Sequence, residues 1–334
     1  MTATPLPAAD PALTEALTAR MAVVEERLRA AVAHSDAIAG ATARHLVDAG
    51  GKRLRPLLTL LTSHLGDPDR PQVVDAAVVV ELTHLATLYH DDVMDAAPVR
   101  RGAPSAHELW GNQVAVITGD LVFARASAIA AGLGPVAIRI LAETFERLCI
   151  GQLHETVGPG EGVDAVEHYL QVLRDKTASL LATSARFGAM FAGCPPEVEA
   201  ALVAYGEAAG VAFQLADDVI DLTSDGAVTG KTPGTDLRER VPTMPALLLR
   251  RRVAAGEGTA ADADLVALLD SDLSLDEPLA RAVAALRSHD VVAATRAEAR
   301  AWGRRAVAAL APLPAGPVRS ALEDFTTALV DRRA

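Results

Sequence analysis

The chain has 334 residues, of which 50% are hydrophobic and 22% charged, so it can bury a large core and is too apolar to be disordered. Aromatic residues make up only 3%, which favours close-packed helices over a β-sandwich or a β-barrel. The formal charge of -12 repels phosphate backbones and makes nucleic acid a poor candidate partner.

Apolar residues recur with helical periodicity along the whole chain, and clusters of glycine and proline interrupt them at intervals of roughly 15 to 30 residues. This pattern predicts helices over 11–33, 36–49, 55–65, 72–95, 105–131, 136–157, 164–192 and 197–222, followed by shorter, more charged helices after Pro245. Because no linker is long enough to separate domains, we expect one domain over 1–334, with the motifs in a core at 44–245 and outer helices at 246–334. The predicted fold class is all-α, a single bundle of long helices.

Three features of the sequence bear on the cellular location of the protein. The first ten residues lack the basic and apolar regions of a signal peptide. Cys149 and Cys194 are too few for a disulfide framework, which suits a reduced environment. Asp75 and Glu81 interrupt the apolar run at 73–89, so we predict no transmembrane segment and a cytoplasmic protein.

Two segments share the rare pattern DDxxD, and each ends a largely apolar predicted helix. The first and fifth residues of such a motif lie on one helix face, where like charges destabilise by about 0.2 to 0.5 kcal/mol per pair unless a cation neutralises them. One copy alone could equally be a solvated helix end, but two copies favour a metal site. Carboxylate oxygens suit Mg²⁺ shared with substrate phosphates, so the predicted ligands are Asp91, Asp92, Asp95, Asp217, Asp218 and Asp221.

Four short segments carry cations that could bind the phosphates. In GGKRLRP, at 50–56, the glycines let the backbone approach an anion and Pro56 starts the next helix. Each of the other three would be an ordinary surface charge if it occurred alone. They are Arg100-Arg101-Gly102, Lys176-Thr177 and Gly230-Lys231.

Together these segments resemble the trans-isoprenyl diphosphate synthase (polyprenyl synthetase) family, and most closely its medium- and long-chain synthases. GGKRLRP, HDDVMD followed by RRGAPS, DKTASL, and FQLADDVID followed by GKTPGTD occur in the family's order and at its approximate spacing, over about 44–245. The resemblance implies the isoprenoid synthase fold with a central active-site cavity, a homodimer and Mg²⁺ dependence. It also implies head-to-tail condensation of isopentenyl diphosphate with an allylic diphosphate to give a trans-polyprenyl diphosphate.

The resemblance implies roles for individual residues as well. The six aspartates would bind the Mg²⁺ ions that hold the allylic diphosphate, helped by Arg100, Lys176 and Lys231. Isopentenyl diphosphate would be bound by Gly51, Lys52, Arg55, His84 and Arg101. A lone histidine on an apolar helix is more often a core residue, but His84 stands seven residues before Asp91, as in the family. The catalytic residues would be Lys176, Thr177 and Gln214, the last two offering neutral dipoles to the carbocation.

Product length depends on the helix that ends at the first motif. With a rise of about 1.5 Å per residue, Ala86 and Thr87 lie within about 8 Å of the acids, and neither is bulky enough to block a growing chain. We therefore expect a product longer than farnesyl. The alternatives are a short-chain geranylgeranyl or farnesyl diphosphate synthase, a non-catalytic subunit of a heteromeric synthase, and a terpene cyclase, which would not need GGKRLRP or a second DDxxD.

Overall fold

In the computed structural model, residues 10–223 and 233–331 are described, and they are predominantly helical. The all-α prediction is confirmed. The helices of the first two thirds of the chain are α1 Pro11–Ala31, α2 Ala37–Asp48, α3 Leu54–Ser63, α4 Pro71–Met94, α5 Ala106–Trp110, α6 Asn112–Gly132, α7 Pro135–Val157, α8 Ala165–Leu173, α9 Ser179–Phe191 and α10 Pro196–Thr223. Those that follow are α11 Thr235–Arg238, α12 Met244–Ala254, α13 Ala260–Leu269, α14 Asp276–Ser288, α15 Asp290–Ala309 and α16 Pro317–Val330.

Several helices begin at a capping aspartate, which explains why their predicted starts are accurate. The Asp10 carboxylate accepts hydrogen bonds from the backbone amides of Ala12 and Leu13 at the start of α1. Asp36 caps α2 and Asp164 caps α8 in the same way. A capping carboxylate satisfies amides that have no partner inside the helix, and its loss typically costs about 1 kcal/mol.

Three local features depart from the predicted helices. The predicted helix at 105–131 is divided at Gly111, whose φ of 83° only glycine adopts readily. A short antiparallel hairpin of β1 (Val99–Arg100) and β2 (Ala103–Pro104) precedes it. The predicted helix at 164–192 contains one turn of π-helix, Arg174–Ala178, between α8 and α9. We call this segment the π-turn.

The chain divides into two compact units, each assembled from separate stretches. The first holds the residues up to Glu146, Leu180–Gly206 and Ala309–Asp324. Helix α4 is its centre, and it packs against α1, α3 and α6. The buried Tyr89 of α4 fixes α2, because its hydroxyl donates to the Thr42 carbonyl at 2.6 Å and accepts from the Leu46 amide at 3.2 Å.

The second unit holds Arg147–Ser179, Glu207–Ala308 and the residues from Phe325. Its described core combines apolar side chains from the end of α10 with others from α11 to α15, among them Leu222, Leu249, Leu286 and Val291. The expectation of a single domain over 1–334 stays a prediction. Lys231 and the C-terminal Arg332 and Arg333 lie outside the described residues.

Two helices, α4 and α6, are long and apolar enough to cross a membrane by length and composition. Within their most apolar windows, 67% of the α4 residues and 33% of the α6 residues are buried inside the protein. A core helix meets the same two criteria, so they are weak indications of a membrane span.

Candidate active site

The predicted site residues divide between the two units. The first unit carries the GGKRLRP segment, the first acidic motif and the hairpin with Arg100 and Arg101. The second unit carries the π-turn with Lys176 and Thr177, and the end of α10 with Gln214 and the second acidic motif. We call Gly51, Lys52, Arg55, His84 and Arg101 the cationic cluster.

Within the cationic cluster, Gly51 and Arg101 are in close contact. A Cβ atom at residue 51 would lie 2.7 Å from the Arg101 Cζ atom, and Gly51 has a φ of 142°, so any side chain there would displace the guanidinium. Arg101 Nη1 donates to the carbonyl oxygens of Leu46, at 3.1 Å, and Gly50. From the sequence, Gly51 is predicted to let the backbone approach a phosphate. In the structure, its missing side chain also leaves room for Arg101.

Arg55 and His84 complete the described part of this cluster. Burial lowers the pKa of Arg55 to about 10, which still leaves the guanidinium charged at neutral pH. Its Nε atom is buried and has no hydrogen-bond partner among the described residues. Burial, reinforced by the positive charges of Arg55 and Arg101, holds the pKa of His84 well below its usual value, so this imidazole is neutral. The cluster thus combines guanidinium charge with a neutral ring.

The first acidic motif occupies the last turn of α4, where Asp95 is the C-cap. Asp91 is half-buried and Asp95 is exposed, whereas Asp92 is fully buried. Asp92 Oδ1 forms a short ion pair with Arg100 Nε, and Asp92 Oδ2 is buried with no hydrogen-bond partner among the described residues. Burial raises the pKa of Asp92, and Arg100 opposes that shift. The structure therefore joins a predicted metal ligand to a predicted phosphate ligand.

The second acidic motif has the same division of environments. Its middle residue, Asp218, is buried and accepts the Tyr169 hydroxyl at 2.9 Å and the Met244 amide at 2.8 Å. Burial raises the pKa of Asp218 well above its usual value. Asp217 and Asp221 are half-buried, and Asp221 Oδ1 accepts the Thr235 amide at 3.2 Å.

The π-turn determines where Lys176 and Thr177 lie. One amide bonds back five residues, from Ser179 to the Arg174 carbonyl, which widens the helix at this point. π-Turns of this kind are frequent at functional sites. Helices α7 and α10 pass close to it because Gly151 and Gly210 lack side chains: a Cβ atom would lie 2.5 Å from the Lys176 nitrogen or 2.4 Å from the Ala178 Cα atom.

Polar contacts hold the π-turn as well. Arg147 donates to the Asp175 carboxylate at 2.9 Å and to the Arg174 carbonyl at 3.3 Å. Lys176 Nζ forms a short ion pair with Glu155. Thr177 is buried. Lys176 is thus a half-buried cation that already has a carboxylate partner before any substrate binds.

The residues predicted to control product length lie on α4. Ala86 is fully buried, whereas Thr87 is half-buried and its hydroxyl donates to the His84 carbonyl at 2.8 Å. Exposed surface on this part of α4 therefore belongs to Thr87 rather than to Ala86.

The described acids do not form a ready-made metal site. Among the described residues, no three aspartate, glutamate, histidine or cysteine side chains come close enough together to hold an ion. The buried middle aspartates bond Arg100 and Tyr169. The other acids of the two motifs are carboxylates in pairs about one helical turn apart. Such pairs fit Mg²⁺, which commonly takes one or two carboxylates and completes its six ligands with water and substrate phosphate.

Several residues of the site were not predicted from the sequence. Glu81, Glu155 and Tyr169 each bond a predicted site residue or its neighbour. Glu81 had a recognisable signal, since an acid in the apolar run of α4 must be paired if it is buried. Tyr169 and Glu155 had none, because their partners are far away in sequence.

The chain is similar to known proteins of one family. The family model for polyprenyl synthetase matches residues 36–265. Nonaprenyl diphosphate synthase of Mycobacterium tuberculosis is 42% identical over 321 residues, covering 95% of this chain and 94% of the relative. Octaprenyl diphosphate synthase of Escherichia coli is 33% identical over 292 residues, covering 86% and 88%.

A solved structure is similar over nearly the whole chain. It is geranylgeranyl pyrophosphate synthase of Corynebacterium glutamicum in complex with calcium and isoprenyl diphosphate, with a TM-score of 0.85, 41% identity and coverage of 97% of this chain and 98% of that one. The identity, the coverage and the family model agree with the order of the motifs in the sequence. The chain belongs to the polyprenyl synthetase family and is a prenyltransferase.

Proposed function

We propose that this enzyme condenses isopentenyl diphosphate head-to-tail with an allylic diphosphate and releases a trans-polyprenyl diphosphate longer than farnesyl. The observation that carries the proposal is that the chain has two chemically different groups of residues that can bind a diphosphate. One is a pair of DDxxD motifs that suit metal-bound phosphate, and the other is a cationic cluster that can bind phosphate directly. The named relatives make nonaprenyl, octaprenyl and geranylgeranyl diphosphates, which are all longer than farnesyl.

The family depends on a divalent metal, and we propose Mg²⁺ for this member. The two motifs supply its proposed ligands, and four of their six aspartates, Asp91, Asp95, Asp217 and Asp221, are partly or fully exposed, whereas Asp92 and Asp218 are buried. Bound Mg²⁺ would neutralise the charge that develops on the departing diphosphate. Arg100, Lys176 and Lys231 would add positive charge on the same diphosphate.

The chain's own residues would perform the remaining steps. The cationic cluster binds isopentenyl diphosphate with its alkene turned toward the allylic carbon. The allylic carbon–oxygen bond breaks, a carbon–carbon bond forms to the alkene, and one proton leaves the new cation. Thr177 and Gln214 offer neutral dipoles to the carbocation, so no side chain captures it. We assign no protein base, because the released diphosphate can take the proton.

The assignment of two diphosphate sites gives a kinetic prediction. Lys52→Ala and Arg55→Ala should each raise the KM for isopentenyl diphosphate by about tenfold and leave the KM for the allylic substrate within about twofold, because a charged hydrogen bond contributes about 1.5 to 3 kcal/mol. Lys231→Ala should do the reverse. Steady-state kinetics with each substrate varied in turn measures both constants. Equal effects on both substrates in all three variants would contradict the assignment.

We also propose a soluble, cytoplasmic homodimer. The support is the composition of α6, which is only one-third buried in its most apolar window. Its exposed side chains include Val116 and Ile117, the latter 64% exposed. An apolar face of this kind is stabilised when a second copy covers it. Sedimentation of the purified protein measures the assembly, and a monomer at micromolar concentration would contradict it.

One assay separates the proposed activity from its alternatives. The purified chain, supplied with Mg²⁺, an allylic primer and isopentenyl diphosphate, should consume isopentenyl diphosphate without any other protein. A non-catalytic subunit would need a partner for the same turnover. A terpene cyclase would release diphosphate from the primer and leave isopentenyl diphosphate unused.

A further inference from the structure

Glu81 is a buried carboxylate in the middle of α4, the central helix of the first unit. Its side chain is only 2% exposed, and its neighbours in sequence on α4, Val80 and Leu82, are fully buried. An unpaired charge in such a place strongly destabilises a fold, so buried acids occur where other groups neutralise them. Nothing in the reaction described above uses this carboxylate.

The groups that neutralise Glu81 are arginines. Arg53 Nη1 donates to Glu81 Oε1 at 2.7 Å, and Arg101 Nη2 lies 3.7 Å from the same oxygen. The charge of Glu81 also acts on Arg55, where it favours the charged guanidinium. One carboxylate therefore contacts two arginines, of which Arg101 belongs to the cationic cluster.

Arg53 connects this carboxylate to two other elements. It has a left-handed backbone (φ 50°) and is the N-cap of α3. Its Nε donates to Glu25 of α1 at 2.6 Å, and its Nη2 donates to the Val47 carbonyl at 2.9 Å. The loop that carries Gly51 and Lys52 is thus fastened to α1 and α4 through one side chain.

We propose that Glu81 is a positioning residue for isopentenyl diphosphate: it holds Arg101 and the Arg53-bound loop in place before the diphosphate arrives. This proposal deepens the proposed function and rests on it. Arg53 and Arg101 both contact Glu81, whereas Glu25 is contacted by Arg53 and Arg29, so Glu81 is the carboxylate that connects Arg53 to the cationic cluster. Without Glu81, the arginines would repel one another and move apart in a partly desolvated site.

The test compares Glu81→Gln with a matched control, Glu25→Gln. Both variants remove a carboxylate that pairs with Arg53, but Glu25 has no ion pair with Arg101. We expect Glu81→Gln to raise the KM for isopentenyl diphosphate by about tenfold, with kcat and the KM for the allylic substrate within about threefold. Glu25→Gln should leave the KM for isopentenyl diphosphate within about twofold. Glu81→Asp keeps the charge and should recover part of the loss.

Binding without turnover gives a second measurement. A chelator removes the metal on which the allylic diphosphate site depends. Under this condition, calorimetry with isopentenyl diphosphate measures its binding to the cationic cluster alone. Glu81→Gln should weaken this binding by about tenfold. If Glu81→Gln does not fold, Glu81→Asp is compared with Glu25→Gln by the same two measurements.

Three outcomes would overturn the proposal. A folded Glu81→Gln enzyme with an unchanged KM and an unchanged affinity for isopentenyl diphosphate would show that the carboxylate positions nothing. An equal rise of both KM values, matched by Glu25→Gln, would show a merely structural role. A wild-type enzyme that does not consume isopentenyl diphosphate would overturn the proposed function as well, which distinguishes that failure from the first two.

Discussion

Asp91→Ala and Asp217→Ala should each reduce the turnover of isopentenyl diphosphate by on the order of a thousandfold while the fold stays intact. Each change removes a predicted metal ligand, the half-buried first aspartate of its motif. Each also relieves repulsion with the acid one turn away, Asp95 or Asp221, which is unfavourable by about 0.2 to 0.5 kcal/mol. The thermal midpoint measured without Mg²⁺ should therefore stay level or rise.

The control for this experiment is Asp264→Ala, which removes an exposed aspartate from α13, outside both motifs. It should leave turnover within about twofold of the wild type, because substitutions of exposed surface residues outside a functional site rarely affect stability. Turnover is measured at increasing Mg²⁺ for all four proteins. Near-normal turnover of Asp91→Ala or Asp217→Ala at saturating Mg²⁺ would refute the two-motif metal site.

The second large effect concerns product length. Ala86→Phe places an aromatic ring of about 150 to 250 Å² on α4, about 8 Å before the first motif. A chain that grows along this helix should then stop at farnesyl or geranylgeranyl size. Because Ala86 is fully buried, the ring should also lower the free energy of unfolding by about 1 to 3 kcal/mol through overpacking. The first condensation should change little, since the acids and the cationic cluster are untouched.

A matched control separates the length effect from the overpacking. Ala77 is also fully buried on α4 and lies nine residues earlier, which is about two and a half turns and therefore the opposite face of the helix. Ala77→Phe should destabilise the fold similarly without shortening the product. Chromatography of the dephosphorylated products measures chain length. A long product from Ala86→Phe, unchanged from the wild type, would show that the chain does not follow this helix face.

The sequence predicts most helices because their signals are local. Periodic apolar residues and glycine or proline breaks place the ends of α1, α2, α4 and α10 within two residues of the structure. The break at Gly111 and the π-turn were not predicted. The π-turn depends on Gly151, Gly210 and Arg147, which approach it from other helices. A single segment carries no sign of such contacts.

For the site, too, the sequence predicts the residues of local motifs but not their contacts with residues far away in the chain. The motifs predict which residues bind the diphosphates, and that prediction needs only their order and spacing along the chain. They do not reveal that Asp92 pairs with Arg100, or that Asp218 accepts Tyr169 and Met244. Burial separates the middle aspartate of each motif from its neighbours, and burial depends on elements far away in sequence.

The most direct test of the central claim is the product of the purified wild-type chain. The enzyme is incubated alone with Mg²⁺, farnesyl diphosphate and labelled isopentenyl diphosphate, and the dephosphorylated products are separated by chain length. We expect label in all-trans products longer than farnesyl, and none when Mg²⁺ is removed by a chelator. Unused isopentenyl diphosphate, with farnesyl diphosphate recovered unchanged, would contradict it.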